Sequence, residues 1–254
     1  MLSAVRAHSI PFDPEREVAE LRAYLGEEYE HARLERYERQ LDAELADVGD
    51  EQAFYRTSEG YLYNLTAFAM TGTKVPYLRD LTQIVAPGAR LLDYGCGIGS
   101  DGLVLLEMGY RVEFADFDNP STRYLRWRLG RRGLEAPVYD LDTGEPPCGF
   151  DLAYAFDVIE HAPDPWVFLA MMEPTAAVVL VNLLEPKPGE TELHHELPIS
   201  AILARAEKRG LVHYRRHHES SHLVAYGAGG HGGRLSRIRS RLALRAGSRR
   251  PAAR

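Results

Sequence analysis

The residues of this chain that could do chemistry are four acids (Asp93, Asp116, Asp140 and Asp157), three glycines (Gly95, Gly97 and Gly99) and a few histidines and tyrosines. In Asp93-Tyr94-Gly95-Cys96-Gly97-Ile98-Gly99-Ser100 a carboxylate stands just before alternating glycines. Glycines at that spacing let the backbone turn tightly and approach a ligand with no Cβ in the way. Two ligand chemistries use such a turn. Gly97-Ile98-Gly99-Ser100-Asp101-Gly102 fits G-x-G-x-x-G, and Asp116 follows about 20 residues on, as in dinucleotide sites. Starting from Asp93, the same stretch puts a negative charge where it would repel a pyrophosphate and attract a ligand carrying an ammonium group.

Alternating elements must hold these residues. Arg90 to Tyr94 reads as a strand and Gly99 to Met108 as the helix after the turn. Tyr110 to Asp116 is a second strand ending on an acid, and an acid there accepts both hydroxyls of a ribose. Asp118 competes for that role but falls in the turn Asp118-Asn119-Pro120-Ser121, which suits helix capping. Pro137 to Asp140 is a short third strand. Phe150 to Phe156 is the fourth, leading into Asp157-Val158-Ile159-Glu160-His161. The apolar run Ala176 to Asn182 reads as a central parallel strand covered on both faces. Leu211 to His217 and His222 to Tyr226 form a closing hairpin, and its histidines read as surface residues.

The stretch from Asp93 to Gly99 resembles motif I of the class I S-adenosylmethionine-dependent methyltransferases. The pattern Phe150-Asp151-Leu152, four residues, then Asp157-Val158-Ile159-Glu160-His161 resembles the segment after strand four in their small-molecule, ubiquinone- and menaquinone-methyltransferase-like subgroup. Nicotinamide dehydrogenases have no such pattern. The resemblance covers roughly Leu78 to Tyr226. It implies an α/β fold: a doubly wound, mostly parallel seven-stranded Rossmann-like sheet, here with an N-terminal helical cap. It also implies S-adenosylmethionine as cofactor, held by Asp93, Gly95, Gly97, Gly99, Asp116, Asp140 and Asp157. Asp140 would reach the adenine amino group, with Asp142 the near alternative. The acceptor is not implied, because one sheet of this kind serves many substrates.

Ahead of the sheet, Asp13-Pro14-Glu15 is a helix start, and amphipathic spacing continues to Val48 with a break at Gly26. Phe54 to Phe68 concentrates aromatic residues, suiting either a cap glued down by its rings or a lid whose aromatic faces attract a sulfonium cation. The domain plan is therefore 1–77 helical cap, 78–227 cofactor-binding domain and 228–254 basic tail. Methyl transfer is chiefly a matter of positioning, and a base is needed only for an acceptor that keeps its proton. Catalytic candidates are His161 and His195, with Tyr55 and Tyr63. Those tyrosines, with Tyr61 and Asn64, would instead fold the aminobutyrate arm if the chain cleaved at the γ-carbon, by cyclisation or aminocarboxypropyl transfer, to release methylthioadenosine. A cofactor-binding subunit without turnover is a third reading. No metal is expected: His161, His194, His195 and Glu196 lack helical His-x-x-x-His spacing, and adjacent histidines point apart.

Composition narrows the partners. The chain of 254 residues is 45% hydrophobic and 26% charged, and no apolar run reaches the roughly 18 residues of a membrane helix. A cytoplasmic protein acting on a small molecule is expected. From Gly227 on there are eight arginines and no acid, so the formal charge of -7 becomes -15 for the rest. So acidic a body argues against nucleic acid as the main ligand, and the tail reads as a solvated end. Cys96 and Cys148 give no disulfide framework and no zinc spacing, and both read as buried thiols. The oligomeric state stays open.

Overall fold

A computed structural model describes residues 9–185 and 193–228. Six helices come first: α1 (Pro14–Leu25), α2 (His31–Glu35), α3 (Tyr37–Val48), α4 (Glu51–Thr57), α5 (Tyr61–Met70) and α6 (Val75–Ile84). Local chemistry sets their ends. The Asp13 carboxylate accepts the N–H groups of Glu15 and Arg16, Pro14 fills the first turn, and Gly26 stops α1 at φ 57°. Asp50 caps α4 through the Ala53 N–H.

The sheet follows as β1 (Arg90–Tyr94), α7 (Ser100–Glu107), β2 (Arg111–Asp116), α8 (Pro120–Arg131), β3 (Val138–Asp140), β4 (Phe150–Ala155), α9 (Pro165–Met172), β5 (Ala176–Leu184), α10 (Ile199–Arg209), β6 (Leu211–His217) and β7 (Ser221–Gly227). Its order is β3-β2-β1-β4-β5-β7-β6, parallel except for β7, which runs antiparallel to both neighbours. Successive side chains on a strand face opposite ways. Leu91 therefore joins the core under α6, α7 and α8, with Leu81, Leu103 and Leu125, while Leu92 joins the core under α9 and α10, with Leu169 and Ile202. The direction of winding reverses between β1 and β4, and the crevice at their carboxyl ends is where such sheets bind ligands.

The cap is fastened to this sheet by an apolar cluster that includes Leu21, Leu62, Ile98 and Tyr124, and by buried charge. Although α8 lies on the outside of the sheet, its Arg128 is fully buried. Its guanidinium bonds Glu20 Oε2 at 2.8 Å and the Ile98 carbonyl at 2.9 Å, and pairs with Glu17; Arg132 adds 2.8 Å contacts to Glu20. Of the hairpin histidines, His218 is exposed as expected, while the others are tied in rather than on the surface. His213 and His217 each lie 3.0 Å from Asp80, and His222 lies 2.8 Å from Glu185. Cys148 is exposed, while Cys96 lines the cavity described below. The tail from residue 229 lies outside the described residues. No helix among those described is long and apolar enough to cross a membrane.

Candidate functional site

A cavity of about 470 Å³ opens at the carboxyl ends of β1 and β4, floored by the glycine turn and roofed by α4 and α5. Gly95, Gly97 and Gly99 have φ of 76°, 51° and 71°, conformations that side chains resist. A Cβ on Gly95 would lie 2.4 Å from Val158 Cγ1, and one on Gly97 3.1 Å from Leu65 Cδ1 in the cap. Substitution at either position therefore pushes apart the two sides of the crevice.

Asp116, at the end of β2, faces the cavity and is bound to its floor. Its carboxylate accepts the Gly97 and Phe117 N–H groups, each at 2.7 Å. Burial still pushes its pKa up to about 6, against those two bonds. Asp93 lies behind the floor rather than in the lining, 4% exposed beside Tyr154; burial and then the charge of Asp101 push it up to about 8. Asp157 lines the cavity with φ 55°, a strained conformation for a side-chain-bearing residue. Asn182, the single polar residue of β5, holds it there: its Oδ1 accepts the Asp157 N–H and its Nδ2 donates to Asp157 Oδ1, both at 2.7 Å. Asp140 lies outside the lining, its Oδ1 accepting the Asp142 N–H, while the adjacent Leu141 does line the cavity. Asp142 pairs with Arg56.

One cation stands among these acids. Lys74 Nζ donates to the Phe156 carbonyl at 3.0 Å and lies 3.3 Å from Asp101 and 4.0 Å from Asp157. Burial works against its charge, but Asp101, Asp157 and Asp93 outweigh burial and raise its pKa. Neither Lys74 nor Asp101 stands out in the sequence as a site residue. The one available signal is that Lys74 is among only three lysines in an arginine-rich chain.

The roof is aromatic. Tyr55 and Tyr61 meet edge to face at 5.4 Å, and Phe68 lies beyond them. Tyr55 Oη lies 2.9 Å from His161 Nδ1, and its backbone carbonyl accepts from Asn119 at 3.2 Å, which ties α4 to the start of α8. Burial raises the pKa of Tyr55, so it stays a hydroxyl. Burial, and then His194, drive His161 down to about 3, so its ring is neutral. Tyr63 is elsewhere: it is buried in the cap, and its hydroxyl accepts the Glu30 N–H at 2.9 Å. His195 turns away to Glu51 at 3.3 Å, whereas its neighbour His194 stacks edge-on against His161 at 4.9 Å. The structure thus gathers His161, Tyr55, Asp116, Asp157, Gly95 and Gly97 around one cavity and leaves Tyr63 and His195 outside it.

Comparison with known proteins agrees with this architecture. Residues 29–218 match the family model described as a methyltransferase domain. A ubiquinone biosynthesis O-methyltransferase of Xanthomonas campestris pv. campestris is 25% identical over 155 residues, covering 57% of this chain and 62% of that protein. The chain thus matches less than two thirds of the length of that curated relative. A TehB-like SAM-dependent methyltransferase from Corynebacterium glutamicum shares 20% identity at a TM-score of 0.50, over 66% of this chain and 96% of that one. The PH0226 protein of Pyrococcus horikoshii gives 14% identity and a TM-score of 0.50, over 68% and 95%. Likeness at this level shows the fold.

Proposed function

Since the chain belongs to the methyltransferase domain family, we propose that its cavity binds S-adenosylmethionine and methylates an oxygen of a small, largely apolar acceptor. The observation that carries this reading is the makeup of the cavity: acids and a glycine turn on one side, aromatic faces on the other. The residues fit the cofactor's chemistry. Asp101, Asp157 and the Phe156 carbonyl already hold one ammonium group, that of Lys74, and Tyr55, Tyr61 and Phe68 offer faces to a sulfonium. When bound, S-adenosylmethionine supplies a methyl group on positively charged sulfur, open to displacement in line.

The chain's own work is then positioning. Asp116 takes the ribose hydroxyls, Gly95 and Gly97 let the backbone come close, and Asp101 and Asp157 set a negative field at the amino-acid end, with Asp93 behind the floor. The helices of residues 9–77 act as cap and lid over the cofactor-binding unit, with Tyr55 and His161 orienting the acceptor from the roof side. Val167 and Met171 line the cavity yet stay 55% and 43% exposed, an apolar mouth suited to an apolar acceptor. Oxygen as the attacking atom draws support from the Xanthomonas relative, an O-methyltransferase by name.

The test is mass spectrometry of the full chain incubated with S-adenosylmethionine and a panel of phenols and alcohols. The expected products are S-adenosylhomocysteine and an acceptor heavier by one CH2. Enzyme-dependent methylthioadenosine would overturn the reading in favour of cleavage at the γ-carbon. Cofactor bound yet intact with every acceptor would point to a binding subunit instead.

A further inference from the structure

We propose that Glu160, His161 and His194 form a binding site for one divalent first-row transition-metal ion at the edge of the cavity. The ligand atoms of the three side chains all lie within 4.8 Å of one another. Glu160 and His161 belong to the turn after β4, and His194 arrives from the segment after β5. A backbone hydrogen bond, His195 N–H to the Glu160 carbonyl at 2.7 Å, joins the two segments, so the cluster is built from two linked pieces of chain.

The hydrogen bonds of His161 set which nitrogen is available. Its Nδ1 lies 3.0 Å from the Leu193 carbonyl, which can only accept, so Nδ1 carries the proton. Nε2 then presents its lone pair. Metal-ligating histidines are oriented in this way, with the far N–H given to a carbonyl or carboxylate. Tyr55 Oη, 2.9 Å from the same Nδ1, steadies the ring further. Donors about 2 Å from a shared metal lie no more than about 4 Å apart, so binding draws the three atoms slightly together. His194 is only half-buried and can make that movement.

The donor set chooses the ion. Two imidazoles and one carboxylate suit zinc, iron, cobalt or manganese, and they disfavour magnesium and calcium, which seek all-oxygen shells. Three protein ligands leave coordination positions open. His161 lines the cavity, so a metal held by it would sit at the cavity's edge, beside the space where an acceptor would lie. That the open position takes the acceptor's hydroxyl oxygen, easing loss of its proton to water, rests on the methyl-transfer reading; binding of the metal does not.

The test uses untagged, chelator-stripped full chain titrated with Co2+, with no cofactor present. A visible absorption band saturating at one equivalent and displaced by Zn2+ is expected. His194→Ala and Glu160→Gln should each weaken Co2+ binding by about tenfold or more. His195→Ala, at the neighbour turned toward Glu51, should leave it unchanged. His194→Ala alters a half-buried side chain and serves alone where Glu160→Gln fails to fold. Absence of a saturable band, or wild-type affinity in the folded variants, would overturn the site. A saturating band without methyl transfer to any acceptor would keep the metal site and remove the methyl-transfer reading. Methyl transfer by chelated enzyme with no band would do the reverse.

Discussion

Two of the buried charge clusters among the described residues are composed differently. Under the cap, Arg128 and Arg132 meet Glu17 and Glu20, two cations against two anions in direct contact. Burial opposes the charge on Glu20, yet the Arg132 and Arg128 contacts bring its carboxyl below the ordinary range, and the acids raise Arg128. At and just behind the cavity, Asp93, Asp101, Asp116 and Asp157 stand with one cation, Lys74, the only lysine or arginine in the lining among the described residues, and the first three are raised. A balanced cluster satisfies itself and serves as a fastening. A surplus of buried carboxylate costs folding energy and is relieved by a cationic ligand, which is how a binding site differs from a clasp.

The sharpest way to break the comparison is to unbalance the clasp. Arg128→Ala leaves Glu17 and Glu20 buried without their central partner and should destabilise the fold by about 3–5 kcal/mol in denaturant unfolding. At the cavity, Asp116→Ala should cost less stability than that, releasing two floor N–H groups, and should weaken S-adenosylhomocysteine binding. A lost charged acceptor is worth about 1.5–3 kcal/mol, read by calorimetric titration. Unchanged affinity there would remove Asp116 from the site.

The same contrast should appear in pH dependence. Asp93, near 8, and Asp116, near 6, hold protons in the folded state that the unfolded chain releases near pH 4. These two make the folded state bind more protons; His161, held neutral, opposes them below about pH 6.5, and above that stability falls as pH rises toward 8. Between pH 6 and 8 the loss should be about 2 kcal/mol, mostly from Asp93, and Asp93→Asn should flatten it in thermal melts. A melting point that rises with pH across that window would contradict the assignment. The smallest effect belongs to Asp118, whose pair with Arg126 is exposed. Asp118→Asn should change stability by less than about 0.5 kcal/mol and leave cofactor affinity alone.

How much of this was legible in the sequence follows from how local each feature is. The glycine turn, the acids at strand ends and the Asp13 cap depend on neighbours a few residues away, and spacing reveals them. The central strands were readable from their own apolar runs, such as Ala176 to Asn182, whereas β3 and β6 are short of apolar residues, and the count of seven and the antiparallel ending came with the family resemblance. Arg128 was not, since its burial depends on Glu17, 111 positions earlier. Lys74 looks like an ordinary turn residue until tertiary structure sets Asp101 and Asp157 around it. The pair His194-His195 shows how fine the margin is: the sequence says that the two point apart, and only packing against Glu51 and His161 decides which one turns inward.

The placement of β7 bears on how the protein is made. It follows β6 in the chain, yet it lies between β5 and β6, pairs with both, and is buried along its whole length. During synthesis β1 to β5 can emerge and associate in order, but β5 keeps one edge unpaired until residues up to 227 have left the ribosome. A bare edge of Val, Leu and Ala invites pairing with other chains. Completion of the sheet is therefore a late, long-range event, and the nascent chain before it is the species most exposed to aggregation and most dependent on chaperones.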